Sequence, residues 1–240
     1  MENTNKKINI IFFDIIGTTI DWYKAVYDQL LNITKIYNIK INIDSFIISW
    51  RNKFLPYIQD INQGYKKYVD FDTINKNTLN ELINDLKLDN VFNEDMKKLM
   101  INSWYNSSSW EDCINGLNKL SKKFKVIAFS NSGMKLLIEI VKKEKLPFDC
   151  ILSTDIAQCY KPENKSYLSI IKLINVTPEE CMMVACHKWD IDGAHNVGMK
   201  TAFVKRPYEK GPNNKADESN NVICDIKVTS FNDLAKKLDC

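Results

Sequence analysis

Residues 8–22, with the sequence INIIFFDIIGTTIDW, decide the fold of this chain. The stretch begins with an apolar run that ends at Asp14 and continues into a turn containing Gly17 and Thr18. A short apolar run bounded by a turn is typical of a buried strand. Ligands of open α/β sheets bind in the crevice beyond the carboxyl ends of the strands. The pattern therefore predicts a reactive carboxylate at Asp14; the alternative is an aspartate that only ends a strand.

The rest of the chain falls into two parts with different patterns. Residues 20–111 carry apolar residues at helical spacing and no alternation typical of strands. Residues 112–240 alternate between short apolar runs and amphipathic segments, which predicts parallel strands joined by right-handed helical crossovers. We therefore expect an α/β fold. Its core would be a doubly wound, Rossmann-like parallel sheet formed by residues 1–19 and 112–240, with a helical cap domain, residues 20–111, inserted after the first strand.

Local signals predict helix boundaries within the inserted segment. Asp44 is expected to cap a helix that ends near Pro56. An aromatic-rich stretch, residues 65–71, leads to Asp72, which is expected to cap the next helix.

Composition narrows the class of protein. The chain has 240 residues, 26% of them charged, and a net charge of +3 with scattered lysines, which argues against a nucleic-acid partner. Its seven cysteines form no C-x-x-C pair, which predicts a reducing, cytoplasmic location. The first apolar run is too short for a membrane span. His187 and His195 lack the spacing of a metal site, so no metal is expected.

Polar residues follow each of four predicted strands. In chain order these residues are Asp14 and Thr18, then Ser130 and Asn131, then Lys161, and finally Asp190. Taken singly, each has an ordinary alternative: turn formation for the Ser-Asn pair, a solvated loop charge for the lysine and a helix cap for the second aspartate. Because parallel strands end at the same edge of a sheet, we expect these groups to surround one crevice.

The order of these motifs, D-x-x-G-T, S-N, K-P and a final aspartate, resembles the haloacid dehalogenase superfamily over nearly the whole chain. Within it, the pattern is most similar to the type II L-2-haloacid dehalogenases. Phosphatase members have an acid where this chain has Ile16 and an acidic metal ligand where it has Cys186. Both changes argue against magnesium-dependent phosphoryl transfer, since Mg²⁺ needs oxygen ligands. The resemblance thus implies no metal and no cofactor, because a halide leaves without either.

The resemblance also implies substrate-binding residues. A W-R-x-K motif at residues 50–53 matches one whose arginine holds the substrate carboxylate and the departing halide, so Arg51 takes that role. Positions that match other pocket residues of the family are Ile16, Leu55, Phe71, Tyr167 and Trp189. Core packing is the alternative for the leucine and the aromatic residues. The chain departs from the best-known members at Ala185 and His187, which replace a serine and an asparagine; His187 either contacts substrate or is a polar turn residue.

The function implied is hydrolytic dehalogenation of short 2-haloalkanoic acids to 2-hydroxy acids. Asp14 would attack the halogen-bearing carbon and form an ester, with Lys161 keeping the nucleophile ionised. Thr18, with the Ser-Asn pair, would hydrogen-bond the nucleophile or the substrate. Asp190 would position or activate the water that hydrolyses the ester.

Two other functions stay open from the sequence. One is a magnesium-dependent phosphatase of the same fold, and the other is a non-catalytic protein that binds a metabolite. The expected partner is a small carboxylate, with no nucleic acid and no membrane. Similar proteins commonly form a homodimer through the helical module.

Overall fold

A computed structural model describes residues 7–240 as alternating strands and helices. In chain order the elements are β1 (Ile10–Phe13), β2 (Ile20–Asp21), α1 (Trp22–Ile36), α2 (Ile43–Asn52), α3 (Phe54–Asn62), α4 (Phe71–Asp85), α5 (Glu94–Asn102), β3 (Ser108–Ser109), α6 (Cys113–Leu120), β4 (Lys125–Ser130), α7 (Met134–Lys143), β5 (Cys150–Ser153), α8 (Asn164–Leu173), β6 (Cys181–Ala185), α9 (Lys188–Asn196), β7 (Lys200–Val204), β8 (Ile226–Val228) and α10 (Phe231–Lys237). None of the helices in this described part combines the length and the apolar character needed to cross a bilayer.

The core of the fold is a six-stranded sheet with the order β5-β4-β1-β6-β7-β8. Every neighbouring pair is parallel, and Ile11 on β1 lies opposite Val126 on one side and Met182 on the other. Strands β1 and β6 are buried along their whole length, as expected where helices cover both faces of a parallel sheet. The chain winds outward from β1 in both directions. This confirms the predicted α/β fold with a doubly wound sheet and a helical cap.

The inserted segment is formed by helices α1 to α5. Two-residue strands, β2 and β3, pair antiparallel where the chain leaves the sheet region and where it returns. The sequence predicts no strand there, because two residues are too few to show an alternating pattern. We propose that this ribbon marks the boundary of the cap, residues 20–111, against the core.

Three predicted helix boundaries in the cap are wrong. Helix α2 is capped by Asn42 rather than Asp44: the Asn42 side chain accepts a hydrogen bond from the Ser45 amide at 2.9 Å. The helix expected to end near Pro56 ends at Asn52, and Pro56 lies instead in the first turn of α3. A proline is tolerated there because the missing N–H has no helical partner in any case. Helix α4 is capped by Asp70 rather than Asp72: the Asp70 carboxylate accepts a hydrogen bond from the Thr73 amide at 2.8 Å.

Aromatic side chains fill the space between the cap helices and the ends of the strands. Trp22 stacks on Trp104 with ring centroids 5.0 Å apart, and Phe71 meets the same Trp104 edge-on at 5.3 Å. Phe54 packs against Tyr160 of the core at 6.3 Å. Aromatic rings bury large apolar areas, so the cap and core form one continuous hydrophobic cluster above the sheet.

Candidate active site

Asp14 directly follows the central strand β1 and is buried. Its Oδ1 accepts a hydrogen bond from Lys161 Nζ at 3.0 Å, and its Oδ2 accepts one from Thr18 Oγ1 at 2.7 Å. His187 Nδ1 lies 3.3 Å from the same Oδ2. Burial opposes the charge on this carboxylate. Attraction to Lys161 and the contacts with His187 and Thr18 nevertheless lower the pKa of Asp14 far below its ordinary value, so the group is ionised at neutral pH.

Lys161 is the central cation of the site. Its buried ammonium donates to Asp14, to Asp190 Oδ2 at 2.5 Å and to the Phe129 carbonyl at 3.1 Å. Burial lowers the pKa of Lys161, but attraction to the two carboxylates outweighs that effect and raises it above 10.5. Asn131 fixes the backbone of this lysine: its amide accepts from Lys161 N at 2.8 Å and donates to Lys161 O at 3.0 Å. Asn131 therefore positions the lysine.

Asp190 lies behind Lys161, at the start of helix α9. Its Oδ2 is bonded to Lys161, and its Oδ1 accepts from Tyr167 Oη at 2.7 Å. Burial and repulsion by Asp14 raise the pKa of Asp190 despite the attraction of Lys161. The carboxylate is fully buried and does not border the cavity beside Asp14. Tyr167 likewise does not border this cavity and lies behind it, so in this geometry both residues contact the site through Lys161 rather than through the cavity.

A small cavity of about 10 Å³ lies next to Asp14. This is room for about one water molecule. The residues that line it are Asp14, Ile16, Arg51, Phe54, Phe71, Ser130, Asn131, His187 and Trp189. Leu55, predicted to line the same pocket, is absent from this wall: its side chain is 41% exposed and borders an outer groove that also touches Trp189. Its neighbour Phe54 faces the cavity instead, because adjacent helical residues point in different directions.

Arg51 enters the cavity from helix α2 through a ring of aromatic side chains. Its guanidinium carbon lies 4.8 Å from the Phe54 ring centre and 5.5 Å from that of Trp22. Atom Nη1 is buried and has no hydrogen-bond partner within residues 7–240. Burial lowers the pKa of Arg51, and Glu209 and Asp14 act in the opposite direction. A buried donor without a partner is costly, and carboxylates and other anions are its natural acceptors.

Glu209 is a residue of the site that the sequence does not predict. It is buried, and its Oε1 accepts from Trp22 Nε1 at 2.7 Å and lies 3.4 Å from His187 Nε2. It also packs on Gly17, where an added Cβ would come within 2.7 Å of the Glu209 side chain, and where φ is +85°. Burial opposes its charge, but His187, Arg51 and Trp22 lower the pKa of Glu209 to about 2. No local pattern marks this residue, because it lies in a polar loop after β7.

The donor set does not fit a magnesium ion. The carboxylates of Asp14 and Asp190 are both bonded to Lys161, and the two positions at which phosphatases carry acids hold Ile16 and Cys186. Mg²⁺ requires a shell of oxygen ligands. In the part of the chain that the structure describes, no group of three His, Cys, Asp or Glu side chains is arranged to hold a metal.

The chain is similar to known hydrolases in sequence and in fold. The chain is 24% identical over 197 residues to (S)-2-haloacid dehalogenase 4A of Burkholderia cepacia, covering 81% of each protein. It is 25% identical over 201 residues to pyrophosphatase PpaX of Bacillus cereus (strain Q1), covering 82% of this chain and 83% of that one. Among solved structures, the defluorinating L-2-haloacid dehalogenase Rha0230 superposes with a TM-score of 0.90 at 26% identity, covering 97% of this chain and 96% of that one. The family model of the haloacid dehalogenase-like hydrolases matches residues 11–204, so the chain belongs to that family.

Proposed function

We propose that this hydrolase removes the halide from short 2-haloalkanoic acids and releases 2-hydroxy acids. The observation that carries the proposal is the unpartnered Nη1 of Arg51, which faces the same cavity as the ionised Asp14. A substrate with a carboxylate at one end and an electrophilic carbon next to it satisfies both groups at once. The guanidinium would hold the carboxylate and the departing halide, and Asp14 would face the halogen-bearing carbon.

The first step is a displacement at carbon. An Asp14 oxygen forms a bond to the halogen-bearing carbon, and the halide leaves with the electron pair of the broken bond. No proton is needed on the leaving group, which is consistent with Ile16 at the position of the phosphatases' acid. The Lys161 ammonium keeps the nucleophile ionised and oriented, and the aromatic walls exclude bulk water during the displacement. Water then hydrolyses the aspartyl ester.

The size of the cavity favours the smallest substrates of this class. The cavity between Asp14 and Arg51 has room for about one water molecule, which is less than a haloacid needs, so we expect the cap to open for binding. When it closes again, Phe54, Phe71 and Trp189 press on the substrate. We expect haloacetates to be better substrates than 2-halopropionates, since the extra methyl group needs additional space between these rings.

Chloride release tests the proposal directly. Purified protein is incubated with chloroacetate and with each enantiomer of 2-chloropropionate, and chloride is measured over time. We expect turnover with the wild type, and a loss of about 10⁴-fold or more on Asp14→Asn, which removes the nucleophile. The matched control is Asp28→Asn, which removes a carboxylate from an exposed i,i+4 pair with Lys24 and should leave turnover intact. Chloride release that survives Asp14→Asn would disprove the role of this aspartate.

A phosphatase is the second candidate, because the pyrophosphatase of B. cereus matches as much of the chain as the dehalogenase does. Magnesium-dependent hydrolysis of pyrophosphate or p-nitrophenyl phosphate, without chloride release from any haloacid, would favour it. Failure of both assays together with thermal stabilisation by another metabolite would indicate a binding protein.

A further inference from the structure

The ester formed on Asp14 needs a base to activate water, and only three ionisable side chains line the cavity within residues 7–240: Asp14, Arg51 and His187. The aspartate is consumed in forming the ester, and the guanidinium is permanently charged. We propose that His187 is the general base of the ester-hydrolysis step and that Glu209 positions it. This inference rests on the proposed dehalogenase function and assigns its second half-reaction.

The two ring nitrogens of His187 face different groups. Nδ1 lies 3.3 Å from Asp14 Oδ2, is buried, and has no aligned hydrogen-bond partner among the described residues. Nε2 lies 3.4 Å from the Glu209 carboxylate, and the ring stacks on Trp189 with centroids 5.2 Å apart. The imidazole thus has one nitrogen free beside the reacting carboxyl and the other held by a carboxylate. This is the arrangement in which a histidine acts as a base oriented by a third group.

Asp190, the other carboxylate of the site, is not available for this role. One of its oxygens accepts from Lys161 at 2.5 Å and the other from Tyr167 at 2.7 Å, so each oxygen is already held by a buried donor. Its exposed fraction is zero, and it does not border the cavity. Asp190 therefore holds Lys161 in place, and water reaching the ester would meet His187 first.

The proton balance closes over one turnover. In the resting site His187 is protonated between two carboxylates, Asp14 and Glu209. Esterification makes Asp14 neutral, and the halide leaves for solvent together with the extra proton of His187. The neutral imidazole then takes a proton from water through Nδ1 while the hydroxide oxygen bonds to the Asp14 carboxyl carbon. When the bond from that carbon to the alkoxide breaks, His187 returns this proton to the alkoxide, and the new Asp14 carboxylic acid passes its own proton to His187.

The charges around His187 favour a protonated imidazole in the free site and a neutral imidazole once Asp14 is esterified. Burial opposes its charge, but Cys186, Asp14 and Glu209 raise its pKa well above 6.5 in the free site. The cations in the same region are Arg51, across the cavity, and Lys161, on the far side of Asp14. Loss of the Asp14 charge on esterification removes one of the anions that stabilise the imidazolium, so the pKa of His187 falls when a base is needed. The step that uses the charge of Asp14 thereby prepares the base for the next step.

Rapid-quench kinetics with chloroacetate separate the two half-reactions. Chloride release reports the displacement, and the mass of the intact protein reports the carboxymethyl ester on Asp14. For His187→Gln we expect one equivalent of chloride in a burst, accumulation of the ester, and steady-state turnover reduced by about 10²–10³-fold. The burst itself shows that the variant site is folded. The matched control is His195→Gln, the other histidine, which is exposed on helix α9 and should behave as wild type.

Glu209→Gln tests the positioning role through the pH profile. Replacing this anion lowers the pKa of the imidazole, so the inflection of ester hydrolysis with pH should move to lower pH, with turnover reduced by about tenfold. A purely structural residue would not move the inflection.

Three results would overturn the inference. They are turnover of His187→Gln within about threefold of wild type without ester accumulation, loss of the chloride burst in that variant, or an unmoved inflection in Glu209→Gln. Absence of chloride release from the wild type would be a different failure, because it overturns the proposed dehalogenase function and this inference with it.

Discussion

Glu209→Gln also isolates the contribution of one buried charge to stability. In the native protein the carboxylate accepts from Trp22 and faces His187 and Arg51, and the substitution keeps the shape and an acceptor oxygen while removing the charge. The pKa of Glu209 falls from 4.5 to about 2 on folding. Since one pKa unit corresponds to about 1.4 kcal/mol, the ionised form stabilises the fold by about 3 kcal/mol at pH 7.

The sign of the pH dependence follows from the direction of the shift. A carboxylate whose pKa is depressed in the folded state contributes its full stabilisation above the unfolded value of 4.5, and this is lost as the pH falls through the folded value of about 2. The difference in unfolding free energy between wild type and Glu209→Gln should therefore be about 3 kcal/mol at pH 7 and about half as large at pH 3.

Urea unfolding monitored by tryptophan fluorescence measures this difference. With a slope of about 3 kcal/mol/M, the midpoint should fall by about 1 M at pH 7 and by about half as much at pH 3. Glu218→Gln is the matched control from the same loop. Its carboxylate is 56% exposed and lies 3.9 Å from Lys205, so it should change stability by less than about 1 kcal/mol. A deficit of equal size at pH 7 and pH 3 would refute the reasoning, because the loss would then not depend on the charge.

Two further predictions concern helix α9. Asp190→Asn should slow chloride release and lower the unfolding free energy by about 3 kcal/mol, because it removes one charge of a buried pair. The nearby Asp192→Asn breaks only a surface pair with Lys188 and should lower the unfolding free energy by less than about 1 kcal/mol. Equal urea midpoints for the two variants would contradict this prediction. Gly193→Ala places a Cβ 2.7 Å from the Tyr167 hydroxyl, so overpacking should lower the unfolding free energy by about 1–3 kcal/mol and reduce the rate of chloride release. A variant with wild-type stability and rate would contradict this prediction and show that helix α9 can shift without disturbing the site.

The sequence carried enough information to predict most of the fold. The alternation of apolar runs and amphipathic segments after residue 112 predicted the parallel sheet, and helical spacing predicted the helices before it. The boundaries that failed, at Asp44, Pro56 and Asp72, lie where two local signals compete. A proline can end a helix or occupy its first turn, and either of two nearby Asn or Asp residues can serve as a cap, so only packing against the rest of the chain decides between them.

For the site, the sequence by itself determined which groups follow the strands: Asp14, the Ser-Asn pair, the lysine and Asp190. Parallel strands end at one edge, so residues that follow them converge without any knowledge of the loops. Only the tertiary structure decided which of these groups face the cavity and which hold other side chains in place. Whether a side chain faces the cavity, as His187 does, or lies behind another group, as Asp190 does, depends on distances of a few ångströms across elements far apart in the chain. The same holds for Glu209, brought to Trp22 across 187 residues by the path of a polar loop that no periodic pattern constrains.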